Sequence, residues 1–319
     1  MNIEELASRL LNQDKRALAR AISLIEDGGV EARALMKRIY PNTGRAAVVG
    51  VTGAPGVGKS TLVDGLTAYY RQQGLRVGVL AVDPTSPFTG GAILGDRIRM
   101  QERGTDPDVF IRSLASRGQV GGLSRATGDS IRAMDAFGKD IILVETVGAG
   151  QGEVEVMRYA HTTLVVLMPG GGDEIQAIKA GILEIGDILV VNKADMEGAD
   201  RLVRDLEMML DLGPESPWRP PVMKTVASRG AGVAALAEKI EEHRQYLISS
   251  GGLDRKKLDQ VSSQVEEIVA SSLLAEVMSR ARAAGTWQEV VDRLSEGTLD
   301  PYTAAEEVLS RHGLLSEEG

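Results

Sequence analysis

The chain has no cysteine among its 319 residues, which excludes disulfide bridges, thiolate metal sites and a cysteine nucleophile. Histidine is scarce: His161, His243 and His312 are far apart in sequence and read as ordinary surface or interface residues, not metal ligands. Lys and Arg are outnumbered by Asp and Glu, 36 to 45, for a net charge of −9. That balance leaves nothing basic enough to neutralise a run of phosphates and argues against a nucleic-acid partner. No apolar run approaches the length of a membrane span, and the opening Asn2-Ile3-Glu4-Glu5 is too acidic and polar for a secretory signal. Repeats and low-complexity segments are absent too. The expectation is a cytoplasmic protein with one large domain and appendages, or two domains.

What is present is a complete phosphate-binding loop, Gly53-Ala54-Pro55-Gly56-Val57-Gly58-Lys59-Ser60-Thr61. It follows an apolar run of strand length, Ala46 to Val51, and precedes Leu62 to Tyr70, whose apolar residues recur at helical spacing. This is the strand, loop and helix order that the motif requires. Its glycines let the backbone N–H groups turn inward, where they and the helix N-terminus can hold phosphate oxygens. Lys59 is expected to reach the β and γ phosphates, and Ser60 to ligate Mg²⁺. The chemistry implied is nucleoside triphosphate binding.

Asn192-Lys193-Ala194-Asp195 follows another apolar run. In guanine-nucleotide switches this N-K-x-D arrangement lets the carboxylate accept from guanine N1–H and the 2-amino group while the lysine stem covers the base. Adenine offers no such pair of donors, so the motif selects GTP and GDP. The segment Val226-Ala227-Ser228 is expected on the other side of the base. Val226-Ala227 stands where a Ser-Ala pair is common, which predicts slightly weakened guanine affinity with the Asp195 contact intact.

Three glycine-rich loops lie between these motifs. Asp83 begins a stretch running to Arg97 that is too long for a simple connector, and Asp83 and Asp96 within it are metal candidates. Glu145 to Gln151 follows the Ile141–Val144 run; there Glu145 can hold Mg²⁺ or its water, and Gly148 can offer an N–H to the γ phosphate. Gln151 is three residues beyond Gly148, not adjacent, so spacing gives it no water-positioning role. The third loop, Pro169 to Glu174, leads into Ile175 to Gly181. No arginine suited to stabilising the transferred phosphoryl group stands beside the phosphate loop, so slow intrinsic turnover is expected.

Three segments organise the chain. Residues 1–45 carry Leu6, Leu10, Leu18, Ile22, Leu35 and Ile39 at helical spacing, with Asp14 as an N-cap. From 46 to 250, short apolar runs at Val77–Val82, Ile141–Val144, Leu164–Met168, Ile188–Val191 and Val222–Thr225 alternate with helical stretches. That is the pattern of an α/β domain with a mainly parallel sheet covered on both faces. After Gly251-Gly252, residues 251–319 form a helical arm whose longest element runs from Leu253 to Ala284.

The strings GAPGVGKST, DPTSPFTGGAILGDR, ETVGAGQ, GGGDEIQAIKAG and NKAD, in this order, resemble the methylmalonyl-CoA mutase-associated GTPases, the G-protein chaperones of adenosylcobalamin-dependent acyl-CoA mutases. Older labels for similar proteins call them arginine/ornithine-transport kinases. The resemblance implies a P-loop GTPase fold with Ser60, Asp83, Asp96 and Glu145 around Mg²⁺, and phosphates held by Gly53–Thr61. It also implies a homodimer formed by the C-terminal arm, and a third switch from Asp173 to Lys179 that faces the mutase, with Lys179 counted among the catalytic candidates. A nickel-delivery GTPase is the neighbouring alternative, disfavoured by the lack of histidine and cysteine ligands. A small-molecule kinase would need an acceptor pocket with a general base, and a noncatalytic scaffold would need no turnover.

Overall fold

The structure, a computed structural model, describes residues 2–83, 105–115, 122–146, 157–170, 185–214 and 216–312, with the backbone alone at 83, 115 and 122–124. It divides into two compact units, Met1–Lys256 and Lys257–Gly319.

In the first unit, helices α1 (Ile3–Leu11), α2 (Lys15–Asp27) and α3 (Gly29–Ile39) come first. The Asp14 carboxylate accepts from the N–H groups of Arg16 and Ala17, satisfying donors that the first turn of α2 would otherwise leave unpaired. Seven parallel strands follow: β1 (Ala47–Thr52), β2 (Val77–Asp83), β3 (Val109–Ala115), β4 (Ile141–Thr146), β5 (Thr162–Leu167), β6 (Ile188–Val191) and β7 (Val222–Lys224). Their order across the sheet is β3-β2-β4-β1-β5-β6-β7. The chain thus leaves β1 for one side of the sheet and later returns to the other, which opens a crevice at the carboxyl end of β1. Edge strand β3 was not among the apolar runs in the sequence, because Arg112 and Ser113 interrupt Phe110-Ile111 before Leu114.

Strand side chains alternate between the two faces, and each face has its own cover. Val48, Leu80, Val82, Ile142 and Val144 share a core with Leu10, Leu18, Ile22, Leu35 and Ile39 of the N-terminal helices and Met134 of α5 (Gly122–Phe137). Their neighbours Val49, Val51, Val79, Ile141 and Leu143 face the opposite way, against Leu62 and Leu66 of α4 (Lys59–Gln72) and Leu236 and Ile240 of α7 (Val233–Ser249). Val165, Leu167, Leu189 and Val191 pack on Leu206 of α6 (Ala199–Leu212). The inner strands β1, β4, β5 and β6 are almost wholly buried and mostly apolar because both faces are covered.

One expectation is corrected here. His243 is buried, with its Nδ1 2.9 Å from Thr162 Oγ1, its ring centroid 4.6 Å from that of Trp218, and Nε2 3.5 Å from Asp187 Oδ1. Burial pushes its pKa down, opposed in part by the Asp187 charge. Asp187 also accepts from Thr163 N–H at 2.8 Å and pairs with Lys256 at 3.2 Å. The sequence signalled none of this, since a histidine between Glu241-Glu242 and Arg244 looks like a surface residue.

The second unit contains most of α8 (Gly252–Ala283), then α9 (Thr286–Ser295) and α10 (Pro301–Arg311). Val277, Ala281, Val290, Ala304 and Val308 form its core. Along α8, Val261, Val265, Ile268, Val269, Leu273 and Leu274 remain exposed. Among the described residues no helix is long and apolar enough to cross a membrane.

Candidate functional site

The phosphate loop joins the carboxyl end of β1 to α4. Gly53 (φ 141°) and Gly58 (φ 96°) occupy backbone conformations that side chains resist, and neither has room for a Cβ. At Gly53 it would stand 2.1 Å from the Val166 carbonyl oxygen, and at Gly58 2.4 Å from Asn192 Nδ2. Lys59 opens α4 and is buried; its ammonium donates to the carbonyls of Gly53 at 2.6 Å and Ala54 at 3.0 Å. The loop therefore curls around its own lysine.

Ser60, one residue on, donates its hydroxyl to Glu145 Oε1 at 2.6 Å. Glu145 is buried near the end of β4, in register with Val51 of β1 and Ala81 of β2. The hydroxyl of Thr146 bonds to that of Thr52 at 3.1 Å, fastening the same two strand ends. A hydroxyl and a carboxylate side by side are hard oxygen donors of the kind Mg²⁺ takes, so this pair fits the expected ion. Among the described residues no group of three or more His, Cys, Asp or Glu could hold a metal by itself. Of Asp83 only the backbone, at the end of β2, is described, and Asp96, Gly148 and Lys179 lie outside the described residues, as do Gln151 and Asp173.

The N-K-x-D segment begins where β6 ends and comes back to the phosphate loop. Asn192 is buried; its Nδ2 donates to the Val57 carbonyl at 2.8 Å, while its Oδ1 accepts from Thr225 Oγ1 at 3.0 Å and from Ala227 N–H at 3.1 Å. One amide thus connects the phosphate loop, the N-K-x-D turn and the segment after β7. Lys193, at φ 54°, lays its ammonium 2.7 Å from the Gly56 carbonyl and 3.3 Å from Met168 Sδ. The Val226-Ala227-Ser228 segment is closed by a bridge between Val226 and Ala231 and runs into a 3-10 turn over Ala227–Arg229. Asp195 remains accessible, paired with Arg229 at 3.4 Å.

Phosphate loop, hydroxyl–carboxylate pair and N-K-x-D turn thus converge at the carboxyl ends of inner strands β1, β4 and β6, and residues 18–282 match the methylmalonyl Co-A mutase-associated GTPase MeaB. The chain belongs to the MeaB family. It is a GTPase, converting GTP and water to GDP and phosphate. A GTPase of Pyrococcus abyssi is 50% identical over 311 residues, 96% of each chain. The Escherichia coli GTPase ArgK is 34% identical over 86% of each chain. The Caenorhabditis elegans methylmalonic aciduria type A homolog, mitochondrial, is 32% identical over 97% of this chain and 82% of its own. A crystal structure titled as a LAO/AO transport system kinase shares the fold over 96% of both chains, with a TM-score of 0.71 and 24% identity.

Two residues of this MeaB-family site carried no signal of their own in the sequence. Thr225 acts through its hydroxyl on Asn192, and Arg229 reaches Asp195 from a turn that reads as an ordinary surface loop. A separate cavity of about 230 Å³ lies by Arg45, Arg76, Asp135, Lys139 and Asp140. None of the expected site residues among those described lines it.

Proposed function

We propose that this GTPase is a chaperone of an adenosylcobalamin-dependent acyl-CoA mutase, coupling GTP hydrolysis to cofactor loading and to protection or reactivation of the mutase. The observation that carries the proposal is the match of residues 18–282 to a family whose name joins GTPase and mutase. The C. elegans relative, named for methylmalonic aciduria, supports it.

In this reading the backbone N–H groups of Gly53–Thr61 and the Lys59 ammonium hold the phosphates; Lys59 would exchange its loop carbonyls for phosphate oxygens. Ser60 and Glu145 would hold Mg²⁺, joined by Asp83 and Asp96, and Gly148 would meet the γ phosphate. Bound there, the ion supplies charge neutralisation on the phosphate chain. Asn192, Lys193 and Asp195 select guanine, with Val226, Ala227 and Ser228 behind the base. No protein nucleophile is required, because positioning and charge stabilisation suffice for water to attack. The loop from Asp173 to Lys179 is the proposed contact with the mutase, and the arm the proposed dimer contact, in a cytoplasmic protein.

The test is GTP turnover with and without a cobalamin-dependent acyl-CoA mutase. The expected result is strong stimulation that falls in Lys179→Ala and Asp173→Ala. If no such mutase changes turnover, the chaperone reading fails while the GTPase stands.

A further inference from the structure

We infer that Arg229 is a positioning residue for base recognition, holding the Asp195 carboxylate in the orientation that guanine needs. The inference rests on the proposed reading of Asp195 and extends it to a residue outside every motif in the chain. The Asp195 side chain is 39% exposed, so packing alone does not fix its rotamer. A carboxylate that must meet two donors at once binds more weakly the more orientations it explores beforehand. From the facing segment, Val226 has no side-chain donor to steady it. Arg229 has, and its Nη2 lies 3.4 Å from Asp195 Oδ2.

The arginine's backbone is itself tied down. Ala227 N–H donates to the buried Asn192 amide, Arg229 N–H donates to the Val226 carbonyl at 2.9 Å, and the turn ends at Gly230 with φ 68°. Ala194 N–H donates to the Thr225 carbonyl at 3.0 Å, so the two segments are joined at a second point. The backbones that carry Arg229 and Asp195 are therefore held together by buried hydrogen bonds, and the ion pair spans the accessible gap between them. A cation here also offsets the cost of covering an anion as the base settles over it. Since Arg229 is itself 72% exposed, the effect must be modest and screened by salt.

The experiment compares GDP binding by wild type, Arg229→Ala and Arg229→Lys at about 50 and 500 mM salt. It adds xanthosine diphosphate binding by Asp195→Asn with and without Arg229→Ala. The expected loss for Arg229→Ala is about three- to fivefold at low salt, shrinking towards none at high salt, with lysine intermediate. In the Asp195→Asn background the arginine substitution should cost nothing, because no charge remains to be positioned. An equal loss in both backgrounds, or none in wild type, overturns the inference while Asp195 keeps its role. Failure of Asp195→Asn to exchange guanine for xanthine preference overturns the reading of Asp195, and the role of Arg229 with it.

Discussion

The Ser60 hydroxyl donates to Glu145 Oε1 at 2.6 Å, joining the first turn of the helix after the phosphate loop to the end of the strand beside β1. The two side chains come from residues 85 apart in sequence and meet because β1 and β4 pair in parallel register. If this pair is the core of the metal site, Ser60→Ala and Glu145→Gln should each lower Mg²⁺-supported turnover about a hundredfold or more, as several kcal/mol of charge stabilisation are lost. GDP binding measured in EDTA should change far less. Turnover within threefold of wild type in either variant would take that residue out of the metal site.

Asn192 should matter for folding before it matters for the base. Asn192→Ala leaves the Val57 carbonyl, the Thr225 hydroxyl and the Ala227 N–H without their shared partner, and each buried orphan costs about 1–3 kcal/mol. Urea denaturation should therefore show a loss of about 3 kcal/mol or more, accompanied by weaker GDP binding. Unchanged stability with weakened GDP binding would reduce Asn192 to a ligand contact.

Lys139 predicts a pH dependence at the amino end of β4, opposite the end that carries Glu145. Burial, together with the nearby charges of Lys15, Arg76 and Arg71, lowers its pKa to about 8, against the favourable Asp108 charge; its ammonium donates to the Asp108 carbonyl at 2.7 Å. Between about pH 8 and the usual lysine value the unfolded chain binds more protons than the folded one, so stability from this group rises with pH across that window. Wild type should gain stability relative to Lys139→Met as pH rises from 8 to 10, as followed by chemical denaturation. A constant difference between the two proteins would show that Lys139 does not titrate there.

The exposed apolar residues of α8 predict self-association. Val265→Asp with Leu274→Asp should convert a dimer to a monomer at micromolar concentration in sedimentation experiments and leave GTP binding intact. A wild-type chain that is already monomeric would refute the dimer reading.

Much of this architecture could be read from residue order alone. The phosphate loop and N-K-x-D turn were clear because glycine, lysine and aspartate are demanded there by backbone geometry and ligand chemistry. The central strands were clear because double-sided burial makes them continuously apolar, whereas β3, at the edge and broken by Arg112, was not. Asn192 was read only as a base contact; that its amide also closes the phosphate loop depends on three partners spread from Val57 to Ala227, a meeting no local pattern records. Likewise, His243 was hidden because the residues that bury it, Thr162, Asp187 and Trp218, arrive from other parts of the chain.

The shared core of the N-terminal helices and the sheet has a practical side. A gene fragment begun at the phosphate-loop strand would encode every nucleotide motif yet strip Leu10, Leu18, Ile22, Leu35 and Ile39 from Leu80, Val82, Ile142 and Val144. The bared strands would present a greasy plane to solvent and, at expression concentrations, would be expected to drive the fragment into inclusion bodies. Anyone trimming this enzyme for crystals or assays should leave the amino terminus whole and cut beyond Lys256, where its ammonium still grips Asp187.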